Sequence, residues 1–448
     1  MSLEWDEVTD RLIRVVEVGF AGSLARVHVV RDLRGRVRMA ARWMESSPAP
    51  NRVALEKAFE TELHKWFAGP ILWADDGPPE TRRLATALLA RTGWPYSWPT
   101  AWDDGTGHKR AYTASLWTGE ERLRSKMSWI GPNVSVPPWP LLFQTPAIVS
   151  FYSFKGGVGR TTTLGIVARH LAKQGAKVVV VDLDLEAPGA GRFFDIETER
   201  GVLDLLMEHL ATGDIDRADI KRHYKSVPVG KGEVVVYPVG NLLSGYVEKL
   251  GRLDFLPHQM KSGSPVEEAL RKVLACIKSE HAPNYIFLDA RAGLHDLGGL
   301  SLNTLSHVDI LVGRPGRATL DGFRLVLDAI GRLRTPNNIR LVIAQTFVPL
   351  VPGEGRAAQE DFRSEVWDLF GETLDADNTN RLPLNDDTSF HYPCPIPAYE
   401  VLGRVDRLTD IDASVLDAEG YSRLAARIVE RCGRTPAILE ENDDGSAN

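Results

Sequence analysis

At 448 residues the chain exceeds a usual single domain, and 43% hydrophobic with 25% charged residues describes folded protein with a sizeable core. A formal net charge of -7 argues against a dedicated nucleic-acid binder, and no apolar run is long enough to span a bilayer. Cys276, Cys394 and Cys432 are far apart, which excludes a disulfide framework and a zinc site, and Met1 to Asp10 lacks the basic region and apolar core of a secretory signal; a reducing cytoplasm is expected.

In chain order, Leu24 to Val30 reads as a strand, Asp32 to Gly35 as a turn, and Arg36 to Trp43 as the returning strand of a hairpin. Val53 to Phe67 spaces Val53, Leu55, Phe59, Leu63, Trp66 and Phe67 for one helix face. Gly93 to Pro140 carries no clear periodicity. Of the 11 tryptophans all but Trp367 precede Gly156, and this shift meets a proline-rich connector at 137–146, so a Trp-rich α+β domain is expected over 1–136. From 147 to 436 short apolar runs alternate with amphipathic helices. Strands are expected at Ala147–Phe154, Lys177–Leu183, Glu233–Pro238, Tyr285–Asp289, Asp309–Val312 and Arg340–Thr346. Helices are expected at Thr161–Gln174, Pro265–Lys278, Thr319–Leu333, Gly355–Phe370 and Tyr421–Cys432. That alternation predicts an α/β domain, a mostly parallel sheet with helices on both faces. An acidic tail follows over 437–448.

The chemistry concentrates in Phe154-Lys155-Gly156-Gly157-Val158-Gly159-Arg160-Thr161-Thr162. This text directly follows a predicted strand and opens a predicted helix. Glycines there let consecutive backbone N–H groups turn around phosphate oxygens, and the helix presents its positive end to the same anion. Thr161 is placed to offer its hydroxyl to Mg²⁺. The plain alternative is a glycine-rich turn joining a strand to a helix. Against the ordinary pattern G-x-x-x-x-G-K-[ST], Phe154 stands at the first Gly and Arg160 at the Lys.

The Lys-Gly-Gly-Val-Gly text resembles the deviant Walker A loop of the ParA/MinD group of dimerising ATPases, over roughly 146–434. Three further segments agree in chain order: Asp182-Leu183-Asp184, Val235 to Gly240, and Asp289-Ala290-Arg291-Ala292-Gly293. The resemblance implies ATP with Mg²⁺ held by residues 155 to 162, and a Lys155 that reaches a partner's nucleotide in an ATP-dependent homodimer. It implies an Asp184 that positions the attacking water and an Asp289 that holds Mg²⁺ through water. Lys155, Arg160 and Asp184 are then the catalytic candidates, and Thr161 and Asp289 the metal candidates. Chains with a K-G-G-V-G-R loop resemble parts of bacterial conflict or signalling systems.

Arginine keeps the lysine's charge but is planar and forked, so phosphate binding is expected to survive and in-line chemistry to slow. Two outcomes stay open, slow turnover and none. Arg291 has two readings, a γ-phosphate sensor or a surface partner of Asp296. Asp182 reads as an orienting group or as a strand-end cap. Gln345, Thr346 and Phe347, with Pro349 and Pro352 nearby, are where the resemblance puts base recognition. His281, His295 and His307 read as surface or capping residues. The functions expected are an ATPase switch that passes its state to a protein partner through the N-terminal domain, a non-hydrolysing nucleotide sensor, or a DNA-partitioning ATPase. The net charge disfavours the last, and the final helix lacks the basic face that membrane attachment needs.

Overall fold

The computed structural model describes residues 3, 7–44, 51–95, 98–103, 108–113, 115–123, 125–131, 136–243, 245–256, 263–374 and 381–434. The tail over 437–448 lies outside them. The chain forms two compact units, one of residues 1–125 with 130–132, the other of 126–129 with 133–448.

In the smaller unit, β1 (Leu24–Arg31) and β2 (Val37–Trp43) form the expected antiparallel hairpin. Its tip is closed by Asp32, whose carboxylate accepts from the N–H groups of Arg34 and Arg36, while Gly35 takes φ +79°. The sheet adds β3 (Leu72–Trp73) beside β2, and β6 (Trp117–Glu121) beside β1, both parallel. A separate ribbon pairs β4 (Ala101–Asp103) with β5 (Lys109–Ala111). Alternation splits the hairpin's side chains between two layers. Val27, Val29, Met39 and Ala41 share a core with Leu12, Ile13, Leu55 and Phe59 from the helices Val8–Gly19 and Arg52–Leu63. Val30 and Ala40 meet the helix Pro79–Leu89 on the other layer. Trp43, Trp73, Trp98, Trp102 and Trp117 are all buried, so the tryptophan excess serves mainly as core. The strands after Gly93 escape periodicity because each is only three to five residues long.

Among the described residues the larger unit is built on eight strands: β7 (Ala147–Tyr152), β8 (Lys177–Asp182), β9 (Lys225–Val229), β10 (Gly232–Tyr237), β11 (Tyr285–Asp289), β12 (Val308–Gly313), β13 (Leu341–Val348) and β14 (Cys394–Pro397). They lie in the order β14-β13-β12-β7-β11-β8-β10-β9, every neighbouring pair parallel except β9 with β10. The continuous apolar runs follow from burial on both faces. Val149, Phe151, Val178, Val180 and Phe287 face one core, while Ile148, Val179, Val181, Ile286 and Leu288 face the other. The helices Arg160–Lys173 and Glu419–Arg431 cover the first face, and Val202–Thr212 and Pro265–His281 the second. Strands β9 and β14 had no sequence signal: both are edge strands interrupted by proline. Among the described residues no helix is long and apolar enough to cross a membrane.

The connector is pinned to the sheet by a buried imidazole. His307 accepts from the Ile148 N–H through Nδ1 at 2.9 Å and donates from Nε2 to the Trp139 carbonyl at 2.7 Å, so the fold requires its neutral form. Burial pushes its pKa down to about 4. A histidine depressed in the folded state contributes stability that is present above its unfolded value and lost as pH falls towards the folded one. Wild-type unfolding free energy is therefore expected to drop by about 3 kcal/mol between roughly pH 6.5 and 4 from this residue. His307→Gln should flatten that part of the profile in urea titrations; an unchanged slope would show that the imidazole does not carry it.

Candidate nucleotide-binding site

The carboxyl ends of β7, β11 and β8 lie side by side, with Asp289 in register with Phe151 on one side and Asp182 on the other. The loop after β7 rises beside them and enters the helix at Arg160. Gly157 and Gly159 take φ +71° and +78°, and Gly159 occupies the N-cap position. Gly156, Gly157 and Gly159 have no neighbouring atom where a Cβ would stand, so the inner surface of the loop is open backbone. Val158 is buried and anchors the loop to the core. The first amides of the Arg160–Lys173 helix face this opening with no side-chain cap, which is an anion-binding arrangement.

Arg160 is 8% exposed and turned towards the strand ends. Its Nε donates to Asp289 at 2.6 Å and its Nη2 to Asp184 at 2.8 Å. Burial works against its charge, but the Asp289 and Asp184 carboxylates more than offset this and hold its pKa above the ordinary value. Thr161 donates to the other Asp289 oxygen at 2.7 Å. Asp184 also accepts from Arg291 at 3.2 Å. Arg160, Thr161, Asp184 and Asp289 thus form one hydrogen-bonded group. Lys155, Gly156 and Gly157 stand exposed on the outer side, Thr162 half-buried behind the loop, and Lys155 pairs with no carboxylate among the described residues.

Asp182 is fully buried and accepts from the N–H groups of Asp184, Gly189 and Ala190, so it folds the segment after β8 back over the strand end. Burial and the neighbouring Asp289 hold its carboxyl well above the usual range. Asp182 therefore acts as the strand-end cap. For Arg291 the Asp296 pairing does not form. Its guanidinium bridges Asp184 and Glu186, at 3.2 and 2.9 Å, while Asp296 is buried against Lys126 and Ser128.

Behind the loop lies a cavity of about 260 Å³ bounded by Gly157, Thr162, Thr346, Phe347, Pro397 and Tyr399. Of the residues expected at the base, Thr346 and Phe347 line it. Gln345 does not: it is buried and donates to the Ala358 carbonyl. Phe347 has φ +58°, an unfavourable conformation for an aromatic residue. Pro397 and Tyr399 were not singled out from the sequence, because the short β14 brings them in from 50 residues away. Phe154 packs its ring on Gly322 of the helix Arg317–Leu333, and any Cβ there would overlap it. A glycine in the interior of a helical pattern is the local mark that such close packing leaves in the sequence.

Residues 146–343 match the model of a family described as an AAA domain. The larger unit resembles ParA/MinD-like P-loop ATPases in sequence, and its sheet is mostly parallel with helices on both faces. The chain is similar to an iron-sulfur cluster carrier protein of Clostridium perfringens, 47% identical over 53 residues, which are 12% of this chain and only 19% of that relative's length. It is 26% identical over 291 residues to the chromosome-partitioning ATPase Soj of Treponema pallidum, covering 63% of this chain and 97% of Soj. Among solved structures it is similar to the cell division ATPase MinD of Pyrococcus furiosus, 18% identical with a TM-score of 0.42, covering 64% of this chain and 99% of that one.

Proposed function

We propose that the larger unit binds ATP with Mg²⁺ at the loop from Phe154 to Thr162 and works as a slowly hydrolysing, ATP-dependent dimeric switch. The observation that carries this reading is the convergence on one point of an open glycine loop, a helix N-terminus, and Thr161, Asp184 and Asp289. The loop amides would donate to the triphosphate oxygens, and the cavity behind the loop, lined by Phe347, Pro397 and Tyr399, would hold the base.

The donor set fits magnesium, which prefers oxygen ligands and keeps several waters. Among the described residues no group of three or more His, Cys, Asp or Glu could hold a metal alone, so phosphate and water oxygens would complete the site. Thr161 and Asp289 would hold Mg²⁺, which neutralises charge on the phosphates when bound. Arg160 must then release at least one carboxylate to reach a phosphate, and its planar fork suits two oxygens at once. Asp184, freed from Arg160, would orient a water from its remaining place beside Arg291. Lys155, exposed and without a carboxylate partner among the described residues, is available to a nucleotide on a second copy. The protein partner, read through the smaller unit, belongs to the same proposal, as does the place in a bacterial conflict or signalling system.

A non-hydrolysing sensor is the second reading. It is favoured by the two ion pairs that engage Arg160, which oppose its movement to a transition state.

The test is binding and turnover of ATP and GTP by wild type, Lys155→Ala, Arg160→Lys, Arg160→Ala and Asp184→Ala, with mass measured in each nucleotide state. Wild type is expected to bind Mg-ATP and dimerise, and Lys155→Ala to bind without dimerising. No binding by wild type in millimolar Mg-ATP would sink the proposal. Binding with no turnover leaves the sensor, and salt-sensitive DNA retention by the ATP form would favour partitioning.

A further inference from the structure

The segment Lys126–Trp129 packs within the larger unit, although residues 1–125 and 130–132 belong to the smaller one. It lies across the elements that follow the loop Asp289–Gly293, whose text is D-x-x-x-G. Trp129 is buried, and its indole N–H donates to the His295 carbonyl at 2.9 Å. Its ring lies 5.8 Å from that of Tyr152, whose hydroxyl donates to the Gly293 carbonyl at 3.1 Å. Asp296 accepts from the Lys126 N–H at 2.5 Å, and Ser128 donates to the Asp296 carbonyl at 3.1 Å. From the other side Asn303 donates to the Ser128 carbonyl at 2.9 Å and Arg332 to the Trp129 carbonyl at 3.1 Å. Asn303 sits in a π-helical turn, Ser301–Leu305, a rare backbone form that is frequent at functional sites.

A continuous polar path joins this segment to the nucleotide site. Asp184 accepts from Arg291, the other end of Arg291 pairs with Glu186 at 2.9 Å, and Glu186 accepts from His295 Nε2 at 3.1 Å. His295 Nδ1 accepts from the Leu297 N–H, which leaves Nε2 as the protonated nitrogen, and the His295 carbonyl holds Trp129. Three residues, Arg291, Glu186 and His295, thus connect the carboxylate beside Arg160 to a buried indole on a segment covalently continuous with the smaller unit.

We propose that Lys126–Trp129 is a strap that holds the D-x-x-x-G loop in place, with Trp129 as a positioning residue coupled to the nucleotide site through Arg291, Glu186 and His295. The proposal rests on the nucleotide-binding reading above and deepens it. Any nucleotide that draws Arg291 or Gly293 to a new position loosens the grip on Trp129. By linkage, whatever pulls the strap away changes nucleotide affinity by the same factor.

The test uses the full chain and two independent readouts. In nucleotide-free protein, hydrogen exchange of amides 293–303 is expected to quicken on the order of tenfold in Trp129→Ala and in Asn303→Ala. Trp129→Phe, which keeps a ring but lacks the N–H, should fall between them and wild type. Mg-ATP affinity is expected to shift several-fold in Trp129→Ala, and the shift in Trp129→Ala combined with Glu186→Gln should differ from the sum of the single shifts. Unchanged exchange in folded Trp129→Ala and Asn303→Ala would overturn the strap, and additive affinity shifts would overturn its coupling. Wild type that binds no Mg-ATP would sink the nucleotide reading and the coupling with it. The exchange readout would still decide whether the strap holds the loop.

Discussion

Arg160→Ala is expected to lower the unfolding free energy by about 3–5 kcal/mol at neutral pH, because it removes the cation from a buried group of carboxylates. Arg160 and Asp184 are both nearly buried and Asp289 is fully so. Deleting the guanidinium leaves Asp289 with Thr161 alone and Asp184 with Arg291, beside an Asp182 that burial and Asp289 already hold above the usual carboxylate range. A carboxyl raised in the folded state contributes stability below its unfolded value and loses it as pH rises through the folded one. The deficit against wild type should therefore be largest near neutrality and shrink towards about pH 4. Urea titrations at both ends of that range check it; a variant as stable as wild type at neutral pH would mean that the guanidinium is not held between the carboxylates. Arg160→Lys keeps the charge without the fork. It should recover much of the stability and raise turnover, since a compact ammonium leaves one carboxylate more readily than a guanidinium bonded to two.

The second large effect comes from a residue that touches no ligand. Gly322→Ala places a methyl group where the Phe154 ring lies, and the overlapped atoms are the near end of that side chain, so the loop backbone itself must shift. Overpacking should cost about 1–3 kcal/mol of stability. A displacement near 1 Å at the phosphate loop should cost on the order of 10²-fold in turnover and weaken Mg-ATP binding. Gly331→Ala in the same helix is the control: its methyl meets the flexible end of Leu374, which can swing aside. Combining Gly322→Ala with Phe154→Ala should restore much of the binding, because the second change vacates the space the first one needs. Normal binding by Gly322→Ala alone would show that the loop does not depend on this packing.

The sequence by itself determined the class of fold and singled out the glycine-rich loop proposed to hold phosphate. Strands buried on both faces must be apolar throughout, and a loop that wraps an anion must be glycine-rich, so both leave local marks. The antiparallel hairpin was equally legible, since alternation and an Asp–Gly turn are short-range features. What only the tertiary structure decided is what each polar group pairs with. Arg160 reads as a phosphate ligand, yet in the folded chain it is held by Asp184 and Asp289, 24 and 129 residues away. Arg291 turns to Asp184 and Glu186 because Lys126 and Ser128, about 170 residues earlier, already occupy Asp296. Gln345 points into its own helix contact while Pro397 and Tyr399 complete the cavity. Periodicity and turn chemistry act over a few residues, whereas ion pairs and packing act across whatever the sheet order brings together. That order, with β11 inserted between β7 and β8, is not written in any local stretch of the chain.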